Sequence, residues 1–433
     1  MGNALQSMIQ NTIYGEPAAP PPPVVLVPPL FERTLAGRNR MAESSYDLLF
    51  SKLPRARLFD DYYAEAGRLV ARALLQPPED RNVDICAQVE VPQGIRGERV
   101  HGSAAFRWQK NEDDPNTFLD LRVSTAAKEY VRLRGSFYHP ESGFGVFGLL
   151  PLLSDTRSEF GLRYSTEYLA AGLVASPPPN GPVTVDSLFS KAWLVGRSGS
   201  LTAGIQYVQP GPGGGPVAAK GVPPELKDFN LALGYGTPGR GPLQPSFDFV
   251  LELVQGSKFI ASYYHHLVVQ RKVKNPLEDS DVEGITNYVD VGLEIEHMLD
   301  DPGTDSVSNL QLGASWQVNK NVLLKAKVGA LSSAAVVAFK SWWQPSVTFA
   351  VTGNLDHGSK QAKVGGVISV ENFGGVRYER ADPNYKMRTP TRRHEADPTL
   401  REKYPLMLPT EGGAGVAPVY PLPKELRPGS NVL

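Results

Sequence analysis

A regular alternation of apolar and polar residues, repeated along most of the chain, constrains the fold more than any other feature. In one window Leu310, Leu312, Ala314 and Trp316 occupy every second position. Comparable windows lie at residues 83–91, 102–109, 130–137, 229–235, 247–253, 289–296, 322–329 and 347–354. A period of two places alternate side chains on opposite faces of a strand. Segments of about ten residues with one apolar and one mixed polar face are typical of membrane-spanning β-barrels.

The number and length of these windows predict the architecture. Between residues 82 and 371 the alternation indicates about 18 or 19 strands. Their lengths match the roughly nine to eleven residues that a tilted strand needs to cross a membrane. We therefore predict an all-β fold, a transmembrane β-barrel of mostly antiparallel strands.

A soluble protein of several β domains is the alternative to a barrel. Strands of soluble sandwiches are usually nearer five or six residues, and no linker divides this series of windows. The polar faces carry charged residues such as Asp290, Glu294 and Lys325, which would be costly in a dry core. A water-filled lumen accommodates them, so the pattern favours the barrel.

One amphipathic helix is predicted before the strands, over residues 55–77. Pro54 precedes it and Pro77-Pro78 stops it. Its apolar stripe consists of Phe59, Tyr63, Ala66, Val70 and Leu74.

Two Pro-rich tails flank the patterned region. Residues 1–54 form a predicted disordered extension, and residues 372–433 form a predicted extended tail. The predicted domains are thus these two tails, the helix at 55–77 and a barrel at 82–371. No run of the sequence reaches the 18 apolar residues of a transmembrane helix.

No arrangement of residues predicts catalysis or a cofactor. With 44 basic and 45 acidic residues, the net charge of −1 gives no reason to expect a nucleic-acid partner. His265 and His266 are adjacent in a strand pattern, so they point to opposite faces and cannot hold one metal together. Cys86 is the single cysteine, which excludes an internal disulfide. We expect neither enzyme activity, nor a cofactor, nor a metal site.

The last patterned blocks resemble a known family. Residues 325–328, 337–345, 348–355 and 363–370 resemble the carboxyl-terminal strands of the mitochondrial porins, the voltage-dependent anion channel family. The final block also fits the insertion signal of mitochondrial barrels. Its fixed positions are filled by Lys363, Gly365, Ile368 and Val370. The long tails depart from the family, and a divergent plant outer-membrane branch is the best match.

This resemblance implies a channel and its surroundings. A porin-like barrel would sit in the mitochondrial outer membrane and pass small hydrophilic solutes or ions, with the helix at 55–77 in the lumen as a gate. Its partners would be membrane lipids, the barrel-insertion machinery and the solutes themselves. The plastid outer envelope is an alternative location. A plugged barrel that recruits other proteins through its tails, as an adaptor or assembly protein, is an alternative function.

The polar strand faces supply the candidate lumen-lining residues. They are Arg132, Arg134, Arg163, Asp248, Glu252, Asp290, Glu294, Glu296, Lys325 and Lys327. Because both signs of charge are present, the sequence leaves the choice between anions and cations open.

Overall fold

A computed structural model describes most of the patterned region and little of the tails. The described residues are 25–26, 31, 40–50, 52–77, 80, 82–93, 99–111, 114–125, 130–154, 156–178, 188–209, 224–237, 245–274, 281–299, 309–341, 345–372 and 380–381. Most of the predicted tails at 1–54 and 372–433 lies outside this part.

In the part of the chain that the structure describes, nineteen strands form one barrel wall. They are β1 (Arg68–Leu75), β2 (Val83–Pro92), β3 (His101–Asn111), β4 (Asp114–Ser124), β5 (Val131–His139), β6 (Phe144–Pro151), β7 (Glu159–Ser165), β8 (Leu169–Ala175), β9 (Phe189–Ser198), β10 (Leu201–Val208), β11 (Phe229–Gly236), β12 (Ser246–Val254), β13 (Lys258–Lys274), β14 (Asp281–Met298), β15 (Asn309–Gln317), β16 (Val322–Gly329), β17 (Ser332–Ser341), β18 (Ser346–Asp356) and β19 (Ala362–Glu371). Two short strands, Val25–Leu26 and Arg380–Ala381, join the sheet outside the wall.

The sheet closes through a parallel pair. Consecutive strands are antiparallel, and an odd number of them makes the first and last run in the same direction. β1 and β19 pair in parallel from Leu69 opposite Gly366 to Leu74 opposite Glu371. The prediction of a closed barrel with about 18 or 19 strands is therefore confirmed.

The two faces of the wall differ sharply in polarity. Leu312 is 52% exposed and Val351 is 59% exposed on the outer face, whereas the inward neighbours Ser315 and Thr352 are buried. An apolar band of this extent around a soluble protein would drive aggregation, but lipid covers it in a membrane. In the described part of the chain no helix is long and apolar enough to span a membrane.

The predicted helix at 55–77 is wrong over most of its length. The helical pieces are α1 (Ser45–Phe50), α2 (Lys52–Arg55), a π-helical turn (Ala56–Asp60) and a 3-10 turn (Tyr63–Glu65), and β1 follows. The wall consequently begins at residue 68 and not at residue 82.

The apolar stripe misled the prediction because a spacing of four suits a strand as well as a helix. Val70 and Leu74 lie on one face of β1 and are both buried, while Leu69 and Leu75 are exposed on the other face. Gly67 has a φ of +82° immediately before β1, a left-handed conformation that interrupts a helix. Pairing with β2 and β19 then provides hydrogen-bond partners for the backbone N–H and C=O groups of β1.

Candidate pore lumen and its luminal segment

The chain before β1 lies inside the barrel. We call residues 40–50 and 52–67 the luminal segment. Its large side chains are buried against inward-facing residues of the wall: Met41, Tyr46, Leu48, Phe50, Leu58, Phe59, Tyr62 and Tyr63. The amino-terminal helical region therefore lies in the lumen, as the family resemblance implies.

Inward-facing glycines make room for this segment. A Cβ at Gly204 would lie 2.5 Å from the Phe50 ring, and one at Gly292 would lie 2.5 Å from Leu58 Cδ1. At Gly365 the added atom would lie only 1.8 Å from the carbonyl oxygen of Glu65. The wall is thus shaped to the segment at these points.

Arg163 on β7 holds the start of the segment. Its guanidinium donates hydrogen bonds to the carbonyl oxygens of Arg40, Met41 and Glu43, at 3.1, 3.1 and 3.2 Å. It also donates to Ser45 Oγ at 2.8 Å. Only 1% of Arg163 is exposed. Arg163, which the sequence predicts to line the lumen, therefore binds the backbone of the luminal segment.

Polar contacts dock α1 on the wall. The Tyr46 hydroxyl donates to Glu252 Oε1 at 3.0 Å, and Lys191 Nζ lies 3.1 Å from Asp47 Oδ2. Burial, followed by the nearby Glu252 carboxylate, raises the pKa of Tyr46 above its ordinary value. The hydroxyl is therefore a dependable donor to Glu252.

Three carboxylates of β14, which we call the acidic arc, pair with two arginines of the luminal segment. They are Asp290, Glu294 and Glu296. Arg57 Nη2 lies 2.7 Å from Asp290 Oδ2, and Arg55 Nη1 lies 3.4 Å from Glu294 and 3.1 Å from Glu296. Burial lowers the pKa of Arg55, but the two carboxylates outweigh burial and raise it overall. Each carboxylate has a further partner: His266 for Asp290, Tyr264 for Glu294 and Lys258 for Glu296.

Two lysines of β16 bind the middle of the segment. Lys325 Nζ donates to the carbonyl oxygens of Arg57 and Asp61, and Lys327 Nζ donates to that of Phe59 at 2.6 Å. Carbonyls at the end of a helical turn lack partners within it and carry negative partial charge. The lysines supply both the hydrogen bonds and the positive charge.

A second charged region, the arginine arc, covers the inward face of β1–β5. Its arginines are Arg68, Arg72, Arg107, Arg122, Arg132 and Arg134, and its carboxylates are Asp84, Glu90 and Asp120. Arg107 and Arg134 both pair with Asp120, which is 3% exposed. Arg122 is exposed and Arg132 is half-buried. Glu65 of the luminal segment also pairs with Arg72, at 3.0 Å. Among the described side chains of the arc, arginines nevertheless outnumber carboxylates.

All ten predicted lumen-lining residues lie on inward positions of the wall. Those that contact the luminal segment are Arg163, Glu252, Asp290, Glu294, Glu296, Lys325 and Lys327. Arg132 and Arg134 belong to the arginine arc, and Asp248 lies half-buried on β12.

The other predicted site residues are divided between different elements. Phe59, Tyr63 and Ala66 lie in the luminal segment, whereas Val70 and Leu74 belong to β1. The residues of the predicted insertion signal all lie on β19. Lys363 and Gly365 face inward, and Ile368 and Val370 face outward.

Sequence reasoning missed residues 40–50. Ser44 Oγ accepts a hydrogen bond from the backbone N–H of Asp47 at 3.0 Å, and the Tyr46 and Phe50 rings lie 5.0 Å apart. A serine cap followed by aromatic residues four positions apart is a short-helix signal. The signal was present inside the region assigned to the disordered extension.

A comparison with known families shows which barrels this one resembles. A profile of the eukaryotic porin family matches residues 213–365, which contain β11–β18 and the start of β19. This is a eukaryotic-porin-like barrel. Nineteen strands agree with it, because mitochondrial porins are the odd-stranded case. A search among curated proteins finds no match to the chain.

The likeness to porins carries general consequences. The porin family is a family of channels and not of enzymes, and it implies an outer-membrane location in general. In the part of the porin-like barrel that the structure describes, no three His, Cys, Asp or Glu side chains are placed to hold a metal ion. The matched residues include the acidic arc and the two lysines of β16. The arginine arc and the luminal segment lie outside the match.

Proposed function

We propose that the chain is an outer-membrane channel through which small hydrophilic solutes or ions diffuse. The observation that carries this proposal is the reversed polarity of a closed wall. Apolar side chains cover the outside, while charged side chains of both signs line the inside. A wall of this kind stabilises water in its lumen and excludes it from the surrounding lipid.

We further propose a preference for anions. The acidic residues of β14 are the main negative group on the wall, and Arg55, Arg57 and Lys258 neutralise them. On the arginine arc the cations are in excess, with Arg122 exposed and Arg132 half-buried. Rings of Arg and Lys favour anions in pores. The residual positive charge should therefore favour anions over cations.

The channel can be tested with purified protein in liposomes. Vesicles loaded with sulfate or with sucrose should lose both solutes when the folded barrel is present. Sulfate should leave faster than a cation of similar size. Vesicles that retain every solute, although the protein resists carbonate extraction, would contradict the proposal.

The mitochondrial outer membrane of a plant is the proposed location, with the plastid outer envelope as the alternative. Support comes from the likeness to porins and from the fit of Lys363–Val370 to the insertion signal of mitochondrial barrels. A fluorescent tag on the full chain, compared with markers of both organelles, separates the two.

A second candidate function is a plugged barrel that acts as an outer-membrane adaptor or assembly protein. The extensive anchoring of the luminal segment favours it, because Arg163, Asp290 and Lys325 all hold that segment in place. An adaptor of this kind would leave the loaded vesicles sealed and would retain proteins through its tails.

A further inference from the structure

The hairpin of β13 and β14 extends beyond the strands on either side of it. These two strands pair from Lys258 opposite Met298 up to Lys274 opposite Asp281. Pairing of β12 with β13 ends at His266, and pairing of β15 with β14 ends at Tyr288. We call residues 267–274 and 281–287 the overhang. Eight residues at about 3.3 Å each would reach roughly 25 Å past the rim of the wall.

Parts of both chain ends meet on this overhang. Val25 and Leu26 pair in parallel with Glu283 and Gly284 of β14. Leu26 also pairs with Arg380 in the antiparallel short strand beyond β19. The overhang thus carries one added strand from before the barrel and one from after it.

The chain then leads from the overhang into the lumen. The Phe31 backbone N–H donates to Gln317 Oε1 at 2.9 Å. Gln317 ends β15 opposite Tyr288, which places it at the base of the overhang. Arg163 next holds the carbonyls of residues 40, 41 and 43 inside the wall.

The luminal segment leaves at the opposite rim. The Gly67 N–H donates to the Val364 carbonyl at 3.1 Å, at the start of β19, and β1 begins at Arg68. Odd-numbered strands, including β1, β13 and β19, all run toward the overhang rim. The segment therefore passes through the lumen from the overhang rim to the start of β1.

We propose that the overhang is an external anchor for the luminal segment. The segment is fixed at both rims, by strand pairing at the overhang and by its covalent link to β1. It cannot leave the lumen unless Val25–Leu26 separates from β14. Release of this anchor then controls gating, a consequence that rests on the proposed channel function. The anchor itself does not depend on that function.

The anchor can be tested by a disulfide across the paired strands. In a Cys86→Ala background, Leu26→Cys is combined with Gly284→Cys, its register partner. The control combines Leu26→Cys with Ser359→Cys, in the β18–β19 turn at the opposite rim. Mild oxidation of the folded barrel should link the first pair and leave the control unlinked. A link in the control pair, or none in either folded protein, would overturn the anchor.

Gating is then recorded in planar bilayers before and after reduction of the link. The linked L26C/G284C protein should show at least severalfold fewer voltage-induced closures than the reduced protein. Equal closure in both states would overturn the control of gating by the anchor. A linked protein that conducts under neither condition would uphold the anchor and refute the channel.

Discussion

Arg57 of the luminal segment lies 2.7 Å from Asp290 of β14, and this contact joins the interior of the barrel to its wall. The Asp290 side chain is only 2% exposed, while that of Arg57 is 26% exposed. A buried carboxylate needs such a partner, because water is not available to solvate it. We therefore expect this ion pair to stabilise the luminal segment inside the barrel.

Asp290→Asn should loosen the luminal segment. Breaking a buried ion pair costs about 3–5 kcal/mol, but water around the partly exposed Arg57 reduces this cost to about 1–3 kcal/mol. Hydrogen exchange of amides in residues 52–66, followed by mass spectrometry, should accelerate roughly 5- to 150-fold. Glu141→Gln, in the exposed β5–β6 turn, removes a carboxylate without touching the segment and is the control. Equal exchange in both variants would show that the pair does not hold the segment.

Gly365→Ala should destabilise the barrel by about 3 kcal/mol or more. The added Cβ would lie 1.8 Å from the Glu65 carbonyl oxygen and 2.8 Å from that of Arg68, and backbone atoms cannot move aside cheaply. Urea unfolding of refolded protein in detergent measures the loss. Gly353→Ala is the control, since nothing lies within 4 Å of its Cβ.

The Gly365→Ala test also distinguishes two explanations for the glycine at this position. One is close packing against the Glu65 carbonyl, and the other is the predicted insertion signal. Refolding in detergent involves no insertion machinery, so an unfolding free energy equal to wild type would leave the predicted insertion signal as the explanation. A defect of Lys363→Ala confined to insertion into organelles would support the signal independently.

The wall could be predicted from the sequence because each strand carries its own period-two pattern. The interior could not, because it depends on contacts between distant residues. The sequence around Gly292 does not indicate that this glycine makes room for Leu58. The sequence around Arg163 likewise does not indicate that this arginine binds the Met41 carbonyl. The failure at Val70 and Leu74 has a different cause, because a spacing of four fits both a helix and a strand.

Tyr46→Phe should weaken the docking of α1 by about 1–2 kcal/mol at neutral pH, through loss of the hydrogen bond to Glu252. Because the pKa of Tyr46 is raised in the folded barrel, its contribution is intact below about pH 10 and is lost as the pH rises further. Amide exchange in residues 45–50 should therefore depend less on pH above 10 in the variant than in wild type. Tyr235→Phe, on the outer face, should retain the wild-type dependence and is the control.

Deletion of residues 1–66 should enlarge the conductance and preserve the preference for anions. It removes the luminal segment and preserves β1, whereas a deletion through residue 77 would also remove the strand that closes the barrel. Loss of Arg55 and Arg57 uncovers the three carboxylates of β14, but loss of the segment also uncovers Arg163, Lys325 and Lys327 on the wall. Residues 40–66 carry five acidic and four basic residues, so their removal does not make the lumen more negative. Deletion of residues 1–24 is the control and should preserve the wild-type conductance. Identical currents from the two deletions would exclude the segment from conduction.

The central claim is a water-filled lumen with an excess of positive charge, and the reversal potential of single channels in a KCl gradient tests it most directly. The full chain should conduct with a chloride-to-potassium permeability ratio above unity. Arg122→Glu with Arg132→Glu should lower that ratio, while Lys110→Glu, on the outer face of β3, should leave it unchanged. A folded, membrane-inserted barrel that passes no current at any voltage, or a ratio that is unaffected by the double substitution, would contradict the account.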